Sequence, residues 1–413
     1  MNPLIPVEDA LSRILAEFST LSAEHVPLTA AQGRILAEAV HAPHPLPPFP
    51  NSSMDGFAVH VADILGATRE TPITLPVVMD VPAGRAPEAP LPPGTAARIM
   101  TGAVVPEGAN AVIPVEDTNA RWESEGAPDT SVTIFHAAEP GSNIRLVGED
   151  VQQGQAVLQA DTELGPAEIG VLAALGYASV PVIQRPVVAI LSTGDELIEI
   201  DQPLQPGKIR NSNGYVLEAL VRQYGGVPVR LPTARDTLAE VRARFKEALA
   251  QSPQIILSSG GVSVGAYDVV KAVLDELGEV RLWRVNLRPG KPLAFGHVGG
   301  VPFFGLPGNP VSAQVTFDIF VRPAVLKLGG RHDHTPVVEA VLDETLRTDG
   351  RETYFRVRLR RAEDGTLHAT TTGTQSSGAM LSMVRADGLL IVPAGKTARA
   401  GERYTVRLLR PLV

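Results

Sequence analysis

PQIILSSGGVSVGAYDVV, residues 253–270, runs from a short apolar segment through a glycine- and serine-rich turn into a helical pattern. Ile255, Ile256 and Leu257 form an unbroken apolar run, the pattern of a strand covered on both faces of its sheet. The turn offers Ser258, Ser259, Gly260, Gly261, Ser263 and Gly265. Glycines let the backbone approach a ligand closely, and free amides at a helix start attract anions. Asp268 follows in the first helical turn, and a carboxylate beside an anion-binding turn calls for a bridging cation. The stretch therefore predicts a phosphate and metal site on an open α/β sheet. It carries neither GxxxxGK[ST] nor GxGxxG, so it is neither of the common phosphate loops.

Outward from this stretch, residues 180–328 alternate between strand and helix patterns, which predicts a parallel sheet. PVVAILSTGDEL reads as strand and turn, SNGYVLEALVRQYGG as a helix with a glycine stop, and VPVRLPT as a strand. The tail from 336 to 413 reads as all β, a small barrel or sandwich, with Phe355, Val357 and Leu359 alternating against Tyr354, Arg356, Arg358 and Arg360. Upstream, Val7, Ala10, Leu11, Ile14, Leu15 and Phe18 share one helical face. The proline-rich segment 42–50 leads into a β-rich unit at about 51–142. Residues 143–179 are expected to pack back on the N-terminal helix, which makes the β-rich unit an insertion.

A chain of 413 residues predicts two to four domains. A formal charge of −9 argues against a general nucleic-acid binder. The absence of cysteine removes disulfides, thiolate zinc sites, iron–sulfur clusters and cysteine nucleophiles together. With no signal-peptide pattern and no long apolar run, the expectation is a cytoplasmic protein with no membrane partner. The histidines show no ligand spacing and no GxSxG occurs, so zinc and serine-nucleophile chemistry have no support.

In an open α/β sheet ligands sit beyond the carboxyl ends of the strands. Four segments are expected at that edge: STGDEL, with Thr193, Gly194, Asp195 and Glu196; SSGGVSVGAYD; NLRPGKPLAFG, with Arg288 and Lys291; and GLPGNPVS, with Asn309 and Ser312. Each alone is explained by a turn, a cap or a solvated charge. Together they suit a phosphorylated ligand with a divalent cation. Outside the sheet, NSSMDG holds Asp55, MTGA holds Thr101, GED holds Asp150, and the tail offers Arg356, Ser376 and Ser377.

PPFPNSSMDGFAV, RIMTGAVVPEGANAVIPVED, GED, LSTGDEL, SSGGVSVGAYD, RPGKPLAFG and FFGLPGNPVSA, in this order, resemble the molybdopterin molybdenumtransferase family, to which the E domain of gephyrin is related. The resemblance implies four parts: an elongated dimerisation domain (1–42 and 143–179), an inserted β-rich domain (43–142), an α/β molybdopterin-binding domain similar to molybdopterin adenylyltransferase (180–329), and a C-terminal β domain (330–413). It implies a homodimer whose site lies between the α/β and β-tail parts of one protomer and the inserted domain of its partner. The implied reaction inserts molybdate into adenylylated molybdopterin, releases AMP and depends on Mg2+. Molybdopterin adenylyltransferase and molybdoenzyme chaperones are the implied protein partners.

On this resemblance the catalytic residues are Asp55, Thr101, Asp150, Glu196, Asp268 and Lys291, and the metal ligands are Asp195, Glu196 and Asp268. Substrate contacts fall to Thr193, Gly194, Ser259, Gly260, Gly261 and Ser263 on the phosphate side. Arg288, Pro307, Asn309, Pro310, Ser312, Arg356 and Ser377 complete them, with Arg356 and Ser377 at positions linked to molybdate. Three positions depart from the family's common pattern: Arg288 replaces a lysine, Asn211 an aspartate, and Ala266–Tyr267 a more acidic turn. The alternatives are a carrier or scaffold for finished cofactor and the adenylyltransferase step itself.

Overall fold

The computed structural model describes residues 4–121, 130–260 and 267–412, and the side chains of all of these but Tyr267, Asp268 and Leu282. Gly261, Ser263, Gly265 and the Asp268 side chain therefore lie outside the described residues. The chain divides into two compact units, Met1–Val26 with Gly33–Ala37 and Pro181–Val413, and Pro27–Gln32 with Glu38–Val180.

In the first unit, β1 (Val187–Ser192), β2 (Val227–Arg230), β3 (Ile255–Ser259), β4 (Gly278–Arg284), β5 (Pro292–Val298) and β6 (Val301–Leu306) form one sheet in the order β2-β1-β3-β6-β5-β4. The four strands β2, β1, β3 and β6 are parallel, as their alternation with helices predicts. β5 and β4 join antiparallel instead. The reason is the connection: Gly299 and Gly300 alone link β5 to β6, and so short a turn can join only antiparallel neighbours. β3 is wholly buried, as its apolar run requires.

Helices α2 (Ser212–Gln223), α3 (Leu238–Ala250) and α4 (Tyr267–Leu277) follow β1, β2 and β3. The Asn211 side chain accepts from Gly214 N and caps α2, and Thr237 caps α3 through Glu240 N. After β6 the chain forms α5 (Pro310–Thr316), a π-helical turn over Phe317–Val321, and α6 (Arg322–Leu328). Pro323 has no N–H to offer the preceding turn, which accounts for the break in the helix.

The N-terminal helix α1 (Val7–Leu15) buries Val7, Ala10 and Ile14. These join Phe18, Val188, Leu257, Phe304 and Val325 in the α/β core. The expectation that α1 packs on residues 143–179 is thus corrected: its apolar stripe is covered by the α/β unit.

The tail forms β7 (Val337–Leu342), β8 (Glu352–Arg361), β9 (Leu367–Thr371), β10 (Gly388–Val392) and β11 (Arg403–Leu408). They pair in the order β8-β9-β7-β11-β10, and β10 pairs back on β8, which closes a barrel. The period-two pattern of β8 holds: Phe355 and Val357 fill the barrel core, while Tyr354 packs outward into the α/β core. The tail is not wholly β, because a short helix, α7 (Met380–Arg385), follows Ser377.

In the second unit, strands Ala111–Pro114, Gly56–Val59, Ala96–Ile99, Ile73–Val81 and Ser131–Ile134 form one sheet in that order. Its flanks are tied antiparallel, Val40–His41 with Ala156–Leu158 and Asn51–Ser52 with Ile144–Arg145.

Candidate functional site

Parallel pairing carries the ends of β1, β3 and β6 to one edge of the sheet. Thr193 N donates to Ser259 O (3.4 Å) and Gly260 N to Leu306 O (3.2 Å), so the loops leave side by side. Gly260 has φ +90°, and a Cβ there would lie 2.9 Å from Thr193 O, so only glycine fits without movement. Asn213, at the start of α2, spans the gap: its Nδ2 donates to Ser259 Oγ (2.7 Å) and Gly308 O (2.8 Å). These elements enclose a cavity of about 410 Å³ whose lining includes Thr193, Glu196, Ser259, Gly260, Pro307 and Asn309. Pro310 and Ser312, from the first turn of α5, complete this wall. The Thr193 hydroxyl is buried with no hydrogen-bond partner among the described residues, leaving its bonding capacity for a ligand.

Beyond β1 the two acidic residues part: Glu196 lines the same cavity as Thr193, while Asp195 turns to the loop after β2. The Glu196 carboxylate folds over Gly194, where a Cβ would meet it at 2.5 Å. Asp195 Oδ1 accepts from Asp236 N (3.2 Å). Burial foremost, with the Asp195 and Glu196 charges adding to it, raises the Asp236 carboxyl above the usual aspartate range, against a lowering backbone hydrogen bond to Asp195. Among the described residues no three acidic or histidine side chains converge on a metal position. Hard oxygen donors of this kind suit Mg2+, and a cation there would relieve the repulsion on Asp236. Asp236 was missed in the sequence. The signal was present: VPVRLPT is a parallel strand, so the TARD segment after it reaches the same edge as the four segments named.

A second cavity, of about 390 Å³, adjoins the first through Ser312, which lines both. Its other walls come from the turn Arg288–Lys291, from β8 and from Gln375–Ser377. The turn reaches this place because β5 runs antiparallel to β6 and so starts where β6 ends. Leu287–Arg288 also pairs with the start of β8, which sews the turn to the barrel. Val311 N donates to Ser377 O (3.0 Å), a second tie between α5 and the barrel.

Arg356 is the central cation. A lone arginine on an alternating strand reads as a surface residue unless something covers it, and here it is covered, with 1% of its surface exposed. Its Nε donates to Ser382 Oγ (3.2 Å) and its Nη2 to Ser376 O (3.0 Å). Among the described residues no carboxylate pairs with it. Burial, and then the Arg288 charge, push the guanidinium down to about 10. A buried cation without a counter-ion is costly, and a bound anion would remove that cost. Arg288 stands at the rim, 3.6 Å from Asp349.

In the second unit, Asp55 Oδ1 accepts from Thr101 N (2.7 Å) and Thr101 Oγ1 (2.8 Å), so the structure brings these two predicted residues together. Asp150 lies in the same unit, its N–H held by Leu46 O (3.0 Å). Asn211 spends its amide on Gly214 N, Ser192 Oγ and Thr233 Oγ1, a structural role.

A glycine-lined sheet edge joined through one serine to a cationic cavity defines an α/β protein whose cavities suit an anionic small molecule. Three family descriptions match in order: the MoeA N-terminal region (domain I and II) at residues 5–176, a probable molybdopterin binding domain at 189–327, and the MoeA C-terminal region (domain IV) at 339–409. Molybdopterin molybdenumtransferase 2 of Mycobacterium tuberculosis is 43% identical over 378 residues, covering 89% of this chain and 90% of that one. The molybdopterin molybdenumtransferase of Bacillus subtilis is 37% identical, covering 98% and 94%. A molybdopterin biosynthesis MoeA protein from Pyrococcus horikoshii has a similar structure, with TM-score 0.81, 31% identity, and 99% of this chain and 100% of that one covered. The chain belongs to the molybdopterin molybdenumtransferase (MoeA) family.

Proposed function

We propose that this chain is a molybdopterin molybdenumtransferase, joining molybdate to adenylylated molybdopterin and releasing AMP. The observation that carries the proposal is Arg356, buried, without a carboxylate partner among the described residues, and facing a cavity shared with Lys291 and Ser312. That cavity has room for a tetrahedral dianion and the charge to attract one. The adjoining sheet-edge cavity then takes the adenylyl-pyrophosphate part of the substrate on Ser259, Gly260 and Thr193, with Gly261 and Ser263, which follow in sequence, as further contacts. Ser312 and Ser377 stand between the two reactants.

In this reading hydrolysis of the phosphoanhydride takes up one water and frees AMP, and dithiolene sulfurs displace oxygen from molybdate, each displaced oxygen taking up two protons and leaving as water. Lys291 and Arg356 bind molybdate and orient it. Asp268, with Asp195 and Glu196, would hold Mg2+, which would supply charge neutralisation at the leaving phosphate. Asp236 is added to that acidic group. Asp55, Thr101 and Asp150 act from the partner protomer of a homodimer, in the cytoplasm.

The test is to incubate the purified protein with adenylylated molybdopterin, molybdate and magnesium and to follow AMP. Molybdate-dependent AMP release is expected. Retained pterin binding with no AMP would leave a carrier role instead, and consumption of ATP with molybdopterin, releasing pyrophosphate, the adenylyltransferase step.

A further inference from the structure

The rim of the cationic cavity contains a charge arrangement that anion binding alone does not explain. Arg288 and Arg351 both line the cavity, and both pair with Asp349, in the loop that precedes β8. The two contacts are unequal. Arg351 donates from Nε to both carboxylate oxygens (3.1 Å each) and also from Nη2, while its Nη1 donates to Leu287 O (3.0 Å). Its guanidinium is therefore committed on two edges. Arg288 approaches the same carboxylate only through Nη1, at 3.6 Å, beyond hydrogen-bond length, and its side chain is 42% exposed. One arginine is anchored and the other is loosely held beside the cavity mouth.

We propose that Asp349 is an internal counter-ion that parks Arg288 at the rim of the cavity, and that an entering oxyanion must take Arg288 from it. Asp349 thereby sets the oxyanion affinity of the site. The inference rests on the oxyanion reading given above. The planar guanidinium fork presents five donors, so one edge can face the carboxylate while another reaches a new acceptor. The Arg288 side chain is thus the feature that makes the exchange available in this chain. Asp349 also shields Arg288 from Arg356, whose guanidinium feels the Arg288 charge.

The experiment is calorimetric titration of the full-length protein with sodium molybdate at low ionic strength, with perchlorate as the tetrahedral monoanion. Asp349→Asn removes the charge and keeps one acceptor oxygen for Arg351, at the cost of the bonds to the other oxygen. It is expected to tighten molybdate by about 3- to 10-fold, and perchlorate by less, since the Coulomb term scales with ligand charge. The gain is expected to shrink at 0.5 M salt. In an Arg288→Gln background the same substitution is expected to change affinity less than twofold. Weaker molybdate binding by Asp349→Asn, or an undiminished gain in the Arg288→Gln background, would overturn the proposal. The underlying reading has its own control: Arg356→Ala abolishes molybdate binding if the cavity is the oxyanion site, and undiminished binding sinks that reading separately. Thermal melts of each variant check the fold.

Discussion

Arg356 and Asp236 are unfavourable to bury, for opposite reasons of charge, and both sit in the candidate site. A residue held at an energetic cost where no partner satisfies it is poised for a ligand. For Asp236 the sign can be worked through. Its carboxyl is raised in the folded state, so above that value folding must hold an unfavourable charge. The cost vanishes as pH falls through the raised value. Asp236→Asn is therefore expected to raise the melting temperature at pH 7 by about 1–2 °C, with no gain at about pH 3. AMP release by the same variant should fall at least about tenfold. A variant that is no more stable at pH 7 than at low pH contradicts the charge argument. At this scale the sequence carried most of the site: Thr193, Ser259, Gly260, Lys291, Ser312 and Ser377 line one or other of two adjoining cavities. Burial of Arg356 was not legible, because the cover comes from Ser376 and Ser382, more than a strand's length away in the chain.

Element by element, hydrophobic period and turn residues were enough for the strands, since β3 is apolar throughout and β8 alternates. They were not enough for strand direction. β5 and β4 follow β3 and α4 in the chain, yet the two-residue Gly299–Gly300 link reverses one of them, and that reversal puts Lys291 at the ligand edge. The side chain that joins elements here is Asn213, on α2, which bonds the end of β3 and the loop after β6 at once. Asn213→Ala removes both bonds. A stability loss of about 1–2 kcal/mol is expected by denaturant titration, together with a rise in KM for the adenylylated substrate. An unchanged KM would mean that the two loops hold their positions without this bridge.

Across the first unit, the barrel is locked to the α/β part by a buried charge group. The Asp318 carboxylate, in the π-helical turn, lies 2.8 Å from Arg407 Nε of β11 and 3.5 Å from Arg322 Nε, and the Asp318 backbone oxygen accepts from Arg407 Nη2 (3.1 Å). Arg322 in turn grips Asp333 at 2.6 Å. Arg407 stands opposite Leu389, and Leu389 opposite Arg356, so the lock and the candidate catalytic cation share one row across the barrel. No sequence period announces such a row, because β8, β10 and β11 are joined through barrel closure. The same whole-molecule view explains why α1 belongs with the α/β core: its stripe is completed by Phe304 and Val325. Aromatic contacts such as Phe18 on Phe304, with centroids 6.1 Å apart, add to that burial.

The account turns on the barrel-borne cation acting with the sheet edge in one reaction. The most direct measurement is single-turnover AMP release from adenylylated molybdopterin, with and without molybdate, by the wild-type protein and by Arg356→Ala. The account predicts that molybdate accelerates release by the wild type, and that Arg356→Ala, folded to the same melting temperature within a few degrees, loses at least about 100-fold of that acceleration. Equal molybdate-stimulated release by the two proteins would contradict it.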